Sequence, residues 1–144
     1  MFYECKKLTQ LDLSSFDTSN VTNMSNMFEY CSNLMQLDLS NFNTSNVTRM
    51  SYMFGYSQNI QEINLSSWDT SNVTNMNSMF FYCSKLIKLD IRNFTFDKVT
   101  NFSNMFYGIP TDCLIIVKDE TAKEWVLARR SDFTNVKTVA ELGE

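Results

Sequence analysis

Asp12, Asp38, Asn64 and Asp90 stand 26 residues apart, each flanked by apolar residues. On adjacent strands they would form a row about 5 Å apart, and carboxylates so placed can ligate calcium or carry out acid–base work. Like charges at that spacing repel. The row is therefore either a solvated face, the simpler reading, or one neutralised by a cation or a basic partner. Asn64 and the lack of a DxDxDG loop weigh against a dedicated calcium site. Cys5, Cys31 and Cys83 share a second column with Ser57 and Ile109. With no CxxC pair, zinc and thioredoxin-like chemistry have little support. Free buried thiols suit a small, mostly buried column, and a Cys5–Cys31 bridge between neighbouring repeats stays open. Histidine is absent from the 144 residues, which removes His-based general bases, Ser-His and Cys-His nucleophiles and His-ligated metals. No Gly-rich phosphate loop or metal-ligand cluster appears. The expectation is a non-enzymatic chain with no catalytic residues, no metal and no cofactor.

The elements that must position these columns repeat with a period of 26. Leu8, Leu34, Ile60 and Leu86 open each unit, followed by Leu11, Leu37, Ile63 and Leu89, then Leu13, Leu39, Leu65 and Ile91. Alternation such as Leu11, Asp12, Leu13 predicts a short, half-buried strand. After an Asx-rich turn (Asp17 to Asn20) that needs no glycine, Val21, Met24, Met27, Phe28 and Cys31 predict a short helix with one apolar stripe. One unit cannot bury both stripes alone, so the units must stack, with their strands in a parallel ladder. The Asn20, Asn46, Asn72 and Thr22, Thr48, Thr74 columns predict internal hydrogen-bond ladders. Tyr30, Tyr56 and Tyr82 lie beside the stripe and could form a contact row.

This organisation gives one α/β domain. Residues 1–110 form an array of about four repeats, starting within a repeat because MFYECKK aligns with MFEYCSN of residues 27–33. That start predicts a longer parent or end-to-end self-association. Residues 111–144 form a C-terminal cap, with a further strand at Ile115 and Val117, a helix over 120–130 capped by Asp119 with Arg129 and Arg130 near its C-terminus, and a short strand over 135–139. The net charge of −4 argues against nucleic acid, and no stretch approaches the ~20 apolar residues of a membrane span. Between residues 8 and 84 six acids face the single base Arg49.

The spacing L-x-x-L-x-L followed by a return resembles a leucine-rich repeat. More specifically, LDLSNFNTSNVTRMSYMF over residues 37–54 resembles the BspA-like 26-residue repeats of mycoplasma lipoproteins and firmicute surface proteins. The resemblance implies a right-handed solenoid with a parallel strand ladder and short helical return segments. It also implies a cell-surface or secreted, adhesin-like role with a host or extracellular-matrix protein as partner. The binding face would be the strand face: Gln10, Asp12, Ser14, Gln36, Asp38, Ser40, Glu62, Asn64, Ser66, Lys88, Asp90 and Arg92. The alternatives are a structural stalk of a longer surface protein and an intracellular scaffold, the latter favoured by free thiols.

Overall fold

The computed structural model describes residues 1–144. Its strands are β1 (Glu62–Asn64), β2 (Lys88–Asp90), β3 (Leu114–Val117) and β4 (Val136–Thr138), with helix α1 (Glu120–Leu127) between β3 and β4. The four strands make one parallel sheet in the order β1-β2-β3-β4. Glu62, Ile63 and Asn64 pair with Lys88, Leu89 and Asp90, a shift of 26 residues. The core beneath the sheet is built from the repeated columns. Leu13, Leu39, Leu65 and Ile91 are buried, and so are Met24, Met50 and Met76. Phe2, Phe28, Phe54 and Phe80 stack in sequence with ring centroids 5.7 Å apart.

The return segments are not helices, a correction to the sequence reading. The amides of Met24, Asn26, Phe28 and Tyr30 donate to the carbonyls of Arg49, Ser51, Met53 and Gly55 in the next unit, at 2.8–2.9 Å. The same pattern joins the following units, from Met50 to Asn75 and from Met76 to Asn101. Within one segment Met27 N–H donates to Met24 O and Cys31 N–H to Phe28 O, so the segment is a run of β-turns. Asn26 and Tyr30, with φ of 62° and 59°, break any helical run every fourth residue. The apolar spacing suits such turns as well as a helix. Stacked units then offer each N–H a partner in the next unit instead of one four residues back.

The strand ladder is also shorter than expected. Residues 11–13 and 37–39 form no strand, and no backbone hydrogen bond involves residues 9–12 or 35–38. Pairing holds where the acidic column is neutral at Asn64 or compensated at Asp90 by Arg92. It is missing between residues 11–13 and 37–39, where Asp12 and Asp38 would stack as like charges, and also between residues 35–38 and β1, beside the neutral Asn64. Leu11 and Leu37 are only half-buried, unlike Ile63 and Leu89, so the core grips these segments less firmly.

The C-terminal segment closes the stack with β4 against β3. Asp119 caps α1 by accepting from Ala122 N–H at 3.0 Å. The helix stops at Leu127, not at residue 130, which leaves Arg129 and Arg130 beyond it. The Arg129 guanidinium lies 3.7 Å from the Trp125 ring centre and 4.4 Å from that of Phe102. Arg130 donates to Phe106 O at 2.8 Å. Both arginines therefore fasten the cap to the last repeat, and Arg129 also donates to Trp125 O at 2.9 Å, a carbonyl in the last turn of α1, where a cation suits the helix dipole.

Candidate functional site

Each unit turns two or three corners with side chains that bond the amide two residues on. Asp12, Asp38 and Asn64 accept from Ser14, Ser40 and Ser66 N–H at 2.9–3.0 Å. Asp17, Asn43 and Asp69 do the same for Ser19, Ser45 and Ser71, and Asn23 does so for Ser25. The candidate carboxylates are thus also turn-makers. Bonds from the following serines hold the carboxyls of Asp12 and Asp38 below the usual aspartate range.

Of the predicted strand-face residues, Gln10, Asp12, Ser14, Gln36, Asp38, Ser40, Glu62, Asn64 and Lys88 are exposed, and Ser66 is half-buried. Asp90 departs from the expected row. It is buried and held by Arg92, whose Nη2 lies 2.7 Å from Oδ2. Arg92 also pairs with the side chain of Glu144, so the face is occupied by a side chain of the capping segment at this end. Toward the first units it is open and acidic, and neither Asp38 nor Glu62 is in an ion pair. Between the second and third units the strand side parts into a cleft of about 400 Å³ lined by Met35, Gln36, Asp38, Gln61, Glu62 and Asn64. No group of three or more Cys, Asp or Glu side chains is placed to hold a metal ion.

Other candidate columns are consumed by the fold. Asn46 and Asn72 donate to Ser19 O and Ser45 O at 2.8 Å, and Thr48 and Thr74 donate to Thr22 O and Thr48 O at 3.2 Å. Lys98 ends the Asn column by donating to Asn72 Oδ1. All four cysteines are free. Cys31 and Cys83 donate their thiols to Phe2 O and Phe54 O, and Ser57 occupies the same position with its hydroxyl on Phe28 O at 2.6 Å. Tyr30, Tyr56 and Tyr82 form a stacked row with centroids 4.4 and 5.7 Å apart. Their rings face one another, so edges and hydroxyls face outward.

Sequence reasoning missed the buried column Thr18, Thr44 and Thr70. Thr44 Oγ1 donates to Asp69 O and accepts from Asp69 N–H, each at 2.9 Å, and Thr18 and Thr70 serve Asn43 and Thr95 in the same way. The available signal was the recurrence of Thr at one position beside more conspicuous Asn and Ser. The family model described as "Mycoplasma protein of unknown function, DUF285" matches residues 1–113. No curated protein and no solved structure matches the chain.

Proposed function

The chain belongs to the DUF285 family of mycoplasma proteins, and from that premise we propose a non-enzymatic repeat module that binds a protein partner through its strand face. In this reading the 26-residue units make a right-handed leucine-rich-type solenoid of the BspA-like kind, displayed at the cell surface or secreted, with a host or matrix protein as partner. The observation that carries it is the unequal use of the polar columns. The Asn and Thr columns are spent on neighbouring units, whereas Asp12, Asp38 and Glu62 stay exposed and free of ion pairs. Exposed charge of one sign steers encounter with an oppositely charged surface.

The test keeps the turns and removes the charge. Asp12→Asn and Asp38→Asn retain the bond to the following serine, as Asn64 does naturally, and Glu62→Gln completes the variant. Its retention on surfaces coated with matrix protein should fall about tenfold, more at low salt than at high. Unchanged retention, or none from the unaltered protein, would sink the strand-face reading. The second outcome would favour a stalk, which the unbroken turn ladder from Phe2 to Tyr107 suits by its stiffness.

A further inference from the structure

The regularity of the stack fails on the strand side of its first units. On the turn side, every unit is bonded to the next, rung by rung. On the strand side, β1 pairs with β2 only, and residues 35–38 of the preceding unit, which should lie beside it, make no backbone hydrogen bond. Gln61 O accepts from Ile87 N–H and Leu65 N–H donates to Asp90 O, so the odd-numbered residues of this stretch face β2. Backbone groups alternate sides along a strand, which turns the N–H and C=O of Glu62 and Asn64 toward the cleft. An unpaired strand edge is a template for another extended chain.

Charge decides which chain. Asp38 and Glu62 line the cleft together with the amide side chains of Gln36 and Gln61. Lys88 lies on the β2 side of Glu62, in register with it and away from the free edge, and forms no salt bridge to it. A second copy of this acidic stretch would be repelled, whereas the cations of a segment with alternating Lys or Arg would meet the two carboxylates of Asp38 and Glu62.

Resting on the strand-face reading, we propose that the free edge of β1 takes an extended basic segment of the protein partner as an added strand. Main-chain bonds to Glu62 and Asn64 hold the segment, and its cationic side chains meet Asp38 and Glu62.

The probe is a fluorescein-labelled ten-residue peptide of alternating lysine and threonine, read by fluorescence anisotropy against the full chain. Two controls accompany it: the same peptide with every second backbone amide methylated, and a glutamate–threonine peptide. The first should bind and the acidic one should not, and methylation should weaken binding about tenfold or more by removing the strand's donors. Glu62→Gln should weaken it about threefold. Glu62→Pro, which also removes an edge donor where proline is tolerated, should weaken it about tenfold further. Circular dichroism melting verifies that both variants fold, and the methylated peptide keeps the test intact if the proline variant does not. Equal binding of methylated and unmethylated peptides would overturn strand addition. So would absence of binding by the lysine peptide; if the charge-neutralised triple variant still loses retention on matrix, the strand-face reading survives that failure.

Discussion

Thr44 shows how much of this chain's polarity is structural. Its hydroxyl is buried and serves both backbone groups of Asp69 in the next unit. Thr44→Val keeps the shape and leaves a buried N–H and C=O without partners, at about 1–3 kcal/mol for each stranded group. Urea unfolding should show a loss of about 2–4 kcal/mol, and a value within experimental error of zero would contradict the bridge. The thiols follow from the same packing. Burial pushes Cys31 up to about 11 and Cys113 up to about 12, and holds Cys83 high as well. Thiolate is the reactive form. In the folded protein only half-buried Cys5 should react promptly with an aromatic disulfide reagent, with the other three reacting on unfolding. Prompt labelling of a second cysteine would disprove the packing of this column.

At the scale of elements, the return segments and the cap were legible to different degrees. The columns Met24, Met27, Phe28 and Cys31 are buried as their spacing requires. Spacing alone does not distinguish a helix from successive β-turns, because both bring residues three and four apart to one face. The positive φ of the Asn26 and Tyr30 columns is signalled by residue type only in part: Asn26, Asn104 and Gly108 are types that favour it, whereas Glu4, Tyr30, Tyr52 and Ser78 are not. In the cap, Glu141 accepts from Lys123 Nζ at 2.7 and 2.8 Å and from Thr138 N–H at 2.7 Å. The lysine first and the Thr138 amide second lower its carboxyl from the ordinary 4.5 to about 2. A lowered acid stabilises the folded state above its unfolded value and loses that contribution as pH falls through the folded one. The cap should therefore loosen as pH drops from 4.5 toward about 2, seen as faster hydrogen exchange at Thr138. Glu141→Gln should flatten this dependence, and an unaltered profile would refute the role given to Glu141.

At the scale of the whole molecule, the C-terminal segment decides whether the stack has a closed end. β4 covers β3, Trp125 stacks on Phe96 with centroids 3.9 Å apart, and Phe133 meets the edge of Phe106. In a stack where each unit contacts only its neighbours, an exposed end costs solubility and cooperativity. Deleting residues 112–144 should give aggregation or a broad, non-cooperative melt. A soluble truncation that unfolds in one sharp transition would overturn the capping role.

The period, the buried columns and the register between units follow from residue order alone, because a 26-residue repeat of apolar types admits only one way of aligning its stripes. So does the Asp119 cap, a local bond between a side chain and an amide three residues on. Where backbone groups find their partners is settled by the three-dimensional stack: in the next unit on the turn side, among β1 to β4 on the strand side, and nowhere along residues 9–12 and 35–38. The stack likewise decides that Asp90 is buried against Arg92 while Asp38 stays exposed. Identical columns imply identical roles in the sequence. Their charges, however, are balanced by neighbours that differ from unit to unit and, for Arg92, by a glutamate 52 residues away.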